Sequence, residues 1–152
     1  MSTLLDTNIL TRLVQPDHDQ HIAARDAVKT LLERGEDLAV VPQNLYEFWV
    51  VATRPANANG LGMTVQQTQS ELSHIRKVFR LFLDERGILP RWEQLVVTHN
   101  VEGKTAHDVR LVAAMVRHDM TQLLTFNAGD FARFPDITVL TPQNVLQAAA
   151  GP

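Results

Sequence analysis

Cysteine is missing altogether from this sequence of 152 residues. Its absence excludes disulfide bonds, thiolate nucleophiles and zinc sites with cysteine ligands. Long apolar runs are missing as well, since none approaches the roughly 20 residues that a membrane-spanning helix needs. The N-terminal residues also lack the basic segment typical of a signal peptide, so we expect a cytoplasmic protein with no membrane partner.

An excess of positive charge is also lacking, because 14 Lys and Arg residues are outnumbered by 17 Asp and Glu residues, for a net charge of −3. A protein that holds nucleic acid on a broad basic face is usually more basic, so this composition leaves room only for a small basic patch. No glycine-rich loop follows the apolar stretch "TLLD" at residues 3–6, which disfavours a nucleotide-binding dehydrogenase.

What the sequence does contain is an alternation of strand-like and helix-like segments. Short continuous apolar runs typical of buried strands occur in "TLLD", "DLAVVP", "TQLLTF" and "DITVLTP". Helical periodicity occurs in "HIAARDAVKTLLERGE", "NLYEFWVVATRP" and "AHDVRLVAAMVRHDM". The alternation predicts an α/β fold with a mostly parallel sheet. The first of these helices is predicted to bury one face, which consists of Ile22, Ala23, Ala27, Val28, Leu31 and Leu32.

Length and composition, with 45% hydrophobic residues, are typical of a single globular domain over residues 1–152. The segment 56–104 is predicted to be a helical insertion within that domain. It opens with the loop "PANANGLGM", which is rich in Pro, Asn and Gly. The pattern over residues 64–87 then predicts one long amphipathic helix.

Four acidic residues occupy related positions in this predicted fold. Asp6 ends the first strand, Glu47 lies near the start of the helix after "AVVP", Asp108 opens a helix, and Asp130 follows the strand "QLLTF". In an open parallel sheet, the carboxyl ends of strands and the helix starts that follow them lie along one edge, where ligands bind. The four acids are therefore predicted to meet there.

Helix capping is the structural alternative for each acid taken alone. Asp6 can be an N-cap, and Asp130 can cap the turn that follows it. "NLYE" places Glu47 three residues after Asn44, and "TAHD" places Asp108 three residues after a threonine, both of which resemble a capping box.

Taken together, the acids indicate a metal site. Apolar residues flank each of them, and several carboxylates gathered on one edge would repel one another and raise some pKa values. A divalent cation relieves that repulsion. Oxygen ligands without cysteine suit Mg²⁺ or Mn²⁺, which can activate water for phosphodiester cleavage.

Four segments of this chain resemble the PIN-domain nucleases, and more narrowly the VapC-like toxin ribonucleases of type II toxin–antitoxin pairs. They are "LLDTNIL", "VPQNLYEFWVVATRP", "GKTAHDVRLVAAMVRHDM" and "LLTFNAGDFARFPDITVLTP". The resemblance implies a three-layer α/β/α sandwich with a short, mostly parallel sheet, and the activity of a divalent-metal-dependent endoribonuclease. It also implies an RNA substrate, a cognate antitoxin and a homodimer.

The resemblance also implies roles for individual residues. Asp6 and Asp108 would bind the metal directly, while Glu47 and Asp130 would hold it through water or bind a second ion. The other residues that match the family's site are four supporting positions and three candidate substrate contacts: Thr7, Asn8, Thr125 and Asn127, and Arg54, Lys104 and His107. The family often has Asp where this chain has Asn127, which leaves open whether Asn127 or Asp130 completes the site.

Two other functions are weighed against the nuclease. A non-catalytic PIN-like module for RNA binding or assembly would keep the fold, but it has no need of four acids at one edge. A metal phosphatase or phosphotransferase is disfavoured, because "DTN" at residues 6–8 lacks the paired aspartates that some of those enzymes use.

Overall fold

A computed structural model describes residues 2–151 and contains a five-stranded parallel sheet. The strands are β1 (Ser2–Leu5), β2 (Asp37–Val40), β3 (Arg80–Leu81), β4 (Gln122–Leu124) and β5 (Thr138–Leu140). Their order across the sheet is β3-β2-β1-β4-β5, and every neighbouring pair is parallel. The four apolar runs predicted as strands are confirmed as β1, β2, β4 and β5.

Seven α-helices connect and cover these strands within residues 2–151. They are α1 (Thr7–Leu13), α2 (His21–Glu33), α3 (Pro42–Thr53), α4 (Val65–Val78), α5 (Ile88–Thr98), α6 (Thr105–Arg117) and α7 (Pro142–Ala150). The three helices predicted from periodicity are confirmed as α2, α3 and α6. None of the seven combines the length and the apolar character that a membrane span requires.

Helices cover both faces of the sheet, because successive strand residues point to opposite faces. Leu4 and Leu123 belong to a core formed with α5 and α6. Leu5 and Leu124, one residue further along the same strands, belong to a second core formed with α1, α2, α3 and α7. Strands β1, β2 and β4 are buried on both sides, which explains why they read as continuous apolar runs. The predicted three-layer α/β/α sandwich is confirmed.

The single long helix predicted over residues 64–87 is wrong. Helix α4 ends at Val78, Phe79 takes an extended backbone conformation, and the chain then pairs with β2 as the edge strand β3. The apolar periodicity continued across the break because Phe79 is buried against the same core as Ile75 of α4. The segment 56–104 therefore contributes a strand to the sheet as well as helices.

The predicted apolar face of α2 is partly wrong. Ile22 and Leu32 are 60% and 43% exposed, whereas Ala24, Ala27 and Leu31 are buried. Helix α2 packs against α7 as well as against the sheet, and its small alanines face these neighbours. Helices α2 and α7 are far apart in sequence, so the local periodicity of α2 did not reveal which of its faces packs against α7.

The loop after α3 folds back on the end of that helix. The backbone N–H groups of Leu61 and Met63 donate to the carbonyls of Val51 and Ala52 at 3.0 and 2.8 Å, and the N–H of Gly62 donates to the Arg54 carbonyl at 2.9 Å. These bonds satisfy carbonyls that a helix end leaves without partners. The loop is therefore fixed against α3 by its backbone.

Candidate active site

A cleft of about 570 Å³ lies at the carboxyl edge of the sheet, beside the ends of β1 and β4. Strand β1 is the central strand of the sheet. Strands β2 and β3 lie on one side of it and β4 and β5 on the other, so the direction of strand addition reverses at β1. Such a switch point is where open α/β sheets bind ligands. The predicted residues that line the cleft are Asp6, Thr7, Asn8, Glu47, Arg54, Asp108, Asn127 and Asp130.

The three remaining candidates lie around this cleft rather than on its wall. Thr125 is fully buried directly behind Asp6, to which its hydroxyl donates a hydrogen bond. Lys104 and His107 are exposed at the start of α6, where their positive charges act on Asp108. All four predicted acids therefore share one cleft, with two of the three candidate substrate contacts outside its lining.

Asp6 is held by hydrogen bonds from two parts of the chain. One carboxylate oxygen, Oδ1, accepts from the backbone N–H of Thr7 at 2.8 Å, and Oδ2 accepts from the Thr125 hydroxyl at 2.7 Å. Asp6 is therefore also the N-cap of α1, as the capping alternative predicted. Its second oxygen is bound from β4, across the sheet, which capping alone does not need.

Thr125 connects Asp6 to the loop that carries Asp130. Its oxygen accepts from the backbone N–H of Asn127 at 2.9 Å and from the Asn8 side chain at 3.3 Å. The side-chain oxygen Oδ1 of Asn8 in turn accepts from the backbone N–H of Phe126 at 3.3 Å. One buried hydroxyl thus fixes the end of β1 against the end of β4.

Glu47 is held from the opposite side of the cleft. Its Oε1 accepts from the Thr7 hydroxyl at 2.7 Å, and its Oε2 accepts from the Gln43 side chain at 3.4 Å. The Thr7 hydroxyl oxygen accepts from Asn44 at 3.3 Å. Thr7 therefore couples α1 to α3, and its backbone and side chain contact two of the four acids.

The capping alternatives for Glu47 and Asp108 are wrong. Helix α3 begins at Pro42, and its capping contact joins Asn44 Oδ1 to the backbone N–H of Val41 at 2.9 Å, one turn before Glu47. The residue that precedes α6 is Lys104, and no side chain caps that helix. Within residues 2–151, the carboxylates of Asp108 and Asp130 accept no hydrogen bond and are left facing the cleft.

Comparison with known proteins identifies the family. The sequence profile of the PIN domain matches residues 3–137. This chain belongs to the PIN domain family. The resemblance to PIN domains inferred from the four sequence motifs is confirmed. No curated protein matches the sequence significantly.

Solved structures share the PIN fold over nearly their whole length. A toxin–antitoxin complex from Klebsiella pneumoniae is 25% identical, with a TM-score of 0.62, over 92% of this chain and 97% of that chain. VapBC2 from Rickettsia felis, bound to a DNA fragment from its promoter, is 17% identical with a TM-score of 0.66, over 93% and 98%. The sarcin–ricin-loop-cleaving toxin VapC20 from Mycobacterium tuberculosis is 14% identical with a TM-score of 0.64, over 87% and 95%.

Burial is the largest influence on the pKa values of two acids in the PIN cleft, and the charges of neighbouring acids add to it. Burial raises the pKa of Asp6 from 3.8 to about 6; the hydrogen bonds from Thr125 and Thr7 oppose this rise, and the charges of Glu47 and Asp108 add to it. The pKa of Asp108 is also raised. Its largest cause is again burial, followed by the charges of neighbouring acids, and the positive charges at the start of α6 act against it.

The donor set of the PIN cleft fits a hard divalent cation in chemistry and charge. All four acids offer oxygen ligands, and their mutual repulsion is the cost that a cation would remove. Within residues 2–151, no three acidic or histidine side chains lie close enough together to form a ready-made metal cage. The arrangement therefore suits an ion held partly through water, as Mg²⁺ usually is.

Sequence reasoning missed two buried amides of this site, Gln43 and Asn44, and several residues of the cleft wall, among them Arg12 and Asn59. Asn44 was considered only as a helix cap. Gln43 precedes Glu47 by four residues, so both lie on one face of α3. That spacing was the available signal, because a polar side chain one turn before a site carboxylate can reach it.

Replacing Thr125 by Val is expected to destabilise the protein by about 1–3 kcal/mol, because the Asn127 N–H loses its acceptor and Asp6 loses a donor. The hydrogen bond from Thr125 lowers the pKa of Asp6, so that pKa should rise above its present value of about 6. Urea unfolding and NMR titration of the Asp6 carboxyl carbon measure both effects. Thr53→Val is the matched control, since its hydroxyl bonds only within α3. An unchanged Asp6 titration in Thr125→Val would contradict this role.

Proposed function

We propose that this PIN protein is a divalent-metal-dependent endoribonuclease that hydrolyses RNA phosphodiesters, and that it is the toxin of a type II toxin–antitoxin pair. The observation that carries the proposal is the gathering of Asp6, Glu47, Asp108 and Asp130 in one cleft at the switch point of a PIN fold. A cleft that holds so many carboxylates, one with its pKa raised to about 6, suits a bound cation rather than an organic anion.

In this proposal Asp6 and Asp108 hold Mg²⁺ or Mn²⁺ directly, and Glu47 and Asp130 hold it through water or bind a second ion. The cation, when bound, supplies activation of water and neutralisation of the charge that develops on the phosphate. Asn127 lies beside Asp130 in the lining of the cleft and can offer an amide oxygen to bound water.

The protein's own residues then orient the reaction. The Thr7 hydroxyl donates to Glu47 Oε1, and the Thr125 hydroxyl donates to Asp6 Oδ2. These two hydrogen bonds keep both carboxylates in place as RNA enters. A cleft carboxylate accepts the proton of the attacking water. Arg54 on the wall, with Lys104 and His107 near the rim, supplies positive charge for RNA phosphates. No residue becomes covalently modified.

We further propose a cognate antitoxin, a homodimer and a cytoplasmic site of action. The similar structure from Klebsiella pneumoniae is a toxin–antitoxin complex, which supports the first of these. Tyr46 and Val50 on the cleft wall are 62% and 53% exposed. Such apolar exposure next to a charged site suits a protein partner that covers the cleft.

Cleavage of a total-RNA pool tests the proposal. The wild type with Mn²⁺ or Mg²⁺ is expected to give discrete fragments, which EDTA should abolish. Asp108→Asn should reduce cleavage by on the order of 100-fold, because it removes a metal ligand while keeping the shape of the side chain. Asp136→Asn, an exposed acid outside the cleft, is the matched control and should cleave like the wild type.

Two results would overturn the nuclease. Cleavage that persists in EDTA or in Asp108→Asn would place the activity elsewhere or in a contaminant. Folded wild type that neither cleaves RNA nor binds Mn²⁺ in calorimetry would favour the non-catalytic PIN-like module for RNA binding or assembly.

A further inference from the structure

Gln43 is a buried amide that joins two of the acid-bearing helices. It is 7% exposed. Its Nε2 donates to Glu47 Oε2 at 3.4 Å and to the backbone carbonyl of His107 at 2.8 Å. His107 immediately precedes Asp108 in the first turn of α6. A single NH₂ group therefore contacts a carboxylate on α3 and the backbone next to a carboxylate on α6.

The orientation of the Gln43 amide is set from its other end. Its Oε1 accepts from Arg110 Nη1 at 3.5 Å, and Arg110 Nη2 donates to Asp84 Oδ2 at 3.1 Å. Both hydrogens of the amide nitrogen and one lone pair of the oxygen thus have partners. If the amide were flipped, its oxygen would face a carboxylate and a carbonyl, so only one orientation satisfies these contacts.

Helix α7 shows that these contacts are not needed to start such a helix. The tripeptide Pro-Gln-Asn opens both α3 (residues 42–44) and α7 (residues 142–144). In both helices the asparagine side chain accepts from the backbone N–H of the residue before the proline. Gln143, however, is exposed, and within residues 2–151 its side chain has no hydrogen-bond partner. The contacts of Gln43 therefore serve the cleft rather than the helix start.

We propose that Gln43 is a positioning residue that sets the separation of Glu47 and Asp108 across the cleft, and so tunes its affinity for the divalent cation. The inference rests on the proposed function. Residues that orient metal-binding groups typically contribute about 10–100-fold to metal affinity or activity. Gln43 is buried and does not line the cleft, so replacing it should affect metal binding and turnover more than RNA binding.

Gln43→Met tests this role, because methionine has nearly the same length but no donor. Calorimetry with Mn²⁺ should show the Kd raised by about 10–100-fold, and kcat for RNA should fall while KM stays within about twofold. Gln143→Met is the matched control, with the same substitution in the same tripeptide, and should keep wild-type values. Thermal unfolding of both variants separates these effects from loss of the fold.

A metal-free measurement keeps the inference separate from the proposed nuclease. In EDTA, NMR of Gln43→Met should show the Glu47 carboxyl carbon and the Asp108 amide shifting together. Shifts confined to α3 would overturn the positioning role, whether or not the wild type binds metal. A wild type that binds no metal would separately refute the proposed function.

Unchanged Mn²⁺ affinity and kcat in folded Gln43→Met, with a wild type that binds and cleaves, would overturn the inference alone. If Gln43→Met does not fold, Arg110→Met decides, because it leaves Gln43 in place and removes the guanidinium that orients the amide, together with the ion pair between that guanidinium and Asp84. That variant should show a smaller loss of Mn²⁺ affinity, and an affinity equal to that of the wild type would overturn the inference.

Discussion

Asp6→Asn is expected to abolish RNA cleavage and, at the same time, to stabilise the metal-free protein at pH 8. The loss of cleavage should be on the order of 100-fold or more, because Asp6 is proposed as a direct metal ligand. The gain in stability follows from burial. Asp6 is 9% exposed, and its pKa is raised from 3.8 to about 6, so its ionised form is costly in the folded state.

The sign of this effect depends on pH. Because the folded protein binds the Asp6 proton more tightly than the unfolded chain does, stability falls as the pH rises from about 4 to about 6, and the cost persists above that range. A rise in pKa from 3.8 to about 6 corresponds to about 3 kcal/mol. Asparagine avoids this cost, but it cannot accept from both Thr7 and Thr125, which costs about 1 kcal/mol.

The net expectation for Asp6→Asn is a gain of about 1–2 kcal/mol at pH 8, or about 2–8 °C in the unfolding midpoint, that shrinks as the pH falls and becomes a loss of about 1 kcal/mol below about pH 3. Calorimetric unfolding in EDTA across this pH range measures it. Asp136→Asn, an exposed carboxyl, should show no such pH-dependent gain. An Asp6→Asn protein that is less stable than the wild type at pH 8 would mean that the buried charge is not a cost, and would contradict the prediction.

Gly60→Ala is expected to destabilise the protein by about 3 kcal/mol, because the loop after α3 leaves no room for a side chain. A Cβ at this position would lie 2.0 Å from the carbonyl oxygen of Arg54 and 2.3 Å from its carbonyl carbon. These are backbone atoms, and the hydrogen bond from Gly62 to the same carbonyl holds them in place. The loop must move, and with it Arg54 and Asn59 on the cleft wall.

Chemical denaturation measures the loss of stability in Gly60→Ala, and the KM for RNA should rise as Arg54 is displaced. Gly129→Ala is the matched control within the same site region. A Cβ at Gly129 meets nothing within 4 Å, and its φ lies outside the left-handed region. Equal stability of the two variants would show that the loop adjusts to the added methyl group.

The sequence predicted those parts of the fold whose signal is local. Strands β1, β2 and β4 are buried on both faces and β5 is partly buried, so all four read as apolar runs whatever their neighbours are. Strand β3 has only two residues, and exposed Arg80 is one of them. Its sequence continues the apolar periodicity of α4, so nothing local distinguishes it from one more helical turn. Only its pairing with β2 makes it a strand.

The candidate site was also predictable only in part. A parallel sheet brings strand ends and helix starts to one edge, so the gathering of Asp6, Glu47, Asp108 and Asp130 followed from the order of elements. Gln43 was not predicted, because its partner His107 lies 64 residues away and the contact uses a backbone carbonyl. The spacing of four residues between Gln43 and Glu47 was a local signal, but no pattern along the chain encodes the contact that joins Gln43 to α6.

The central place of β1 has a consequence for protein synthesis. Strand β1 is made before β4, with which it pairs, so Asp6 receives its hydrogen bond from Thr125 only after that residue has been added. A growing chain that ends before Thr125 also lacks Asp130. Such a chain cannot assemble the cleft on the ribosome, however well its early helices form. We therefore expect the cleft to form only once Thr125 and Asp130 have both been synthesised.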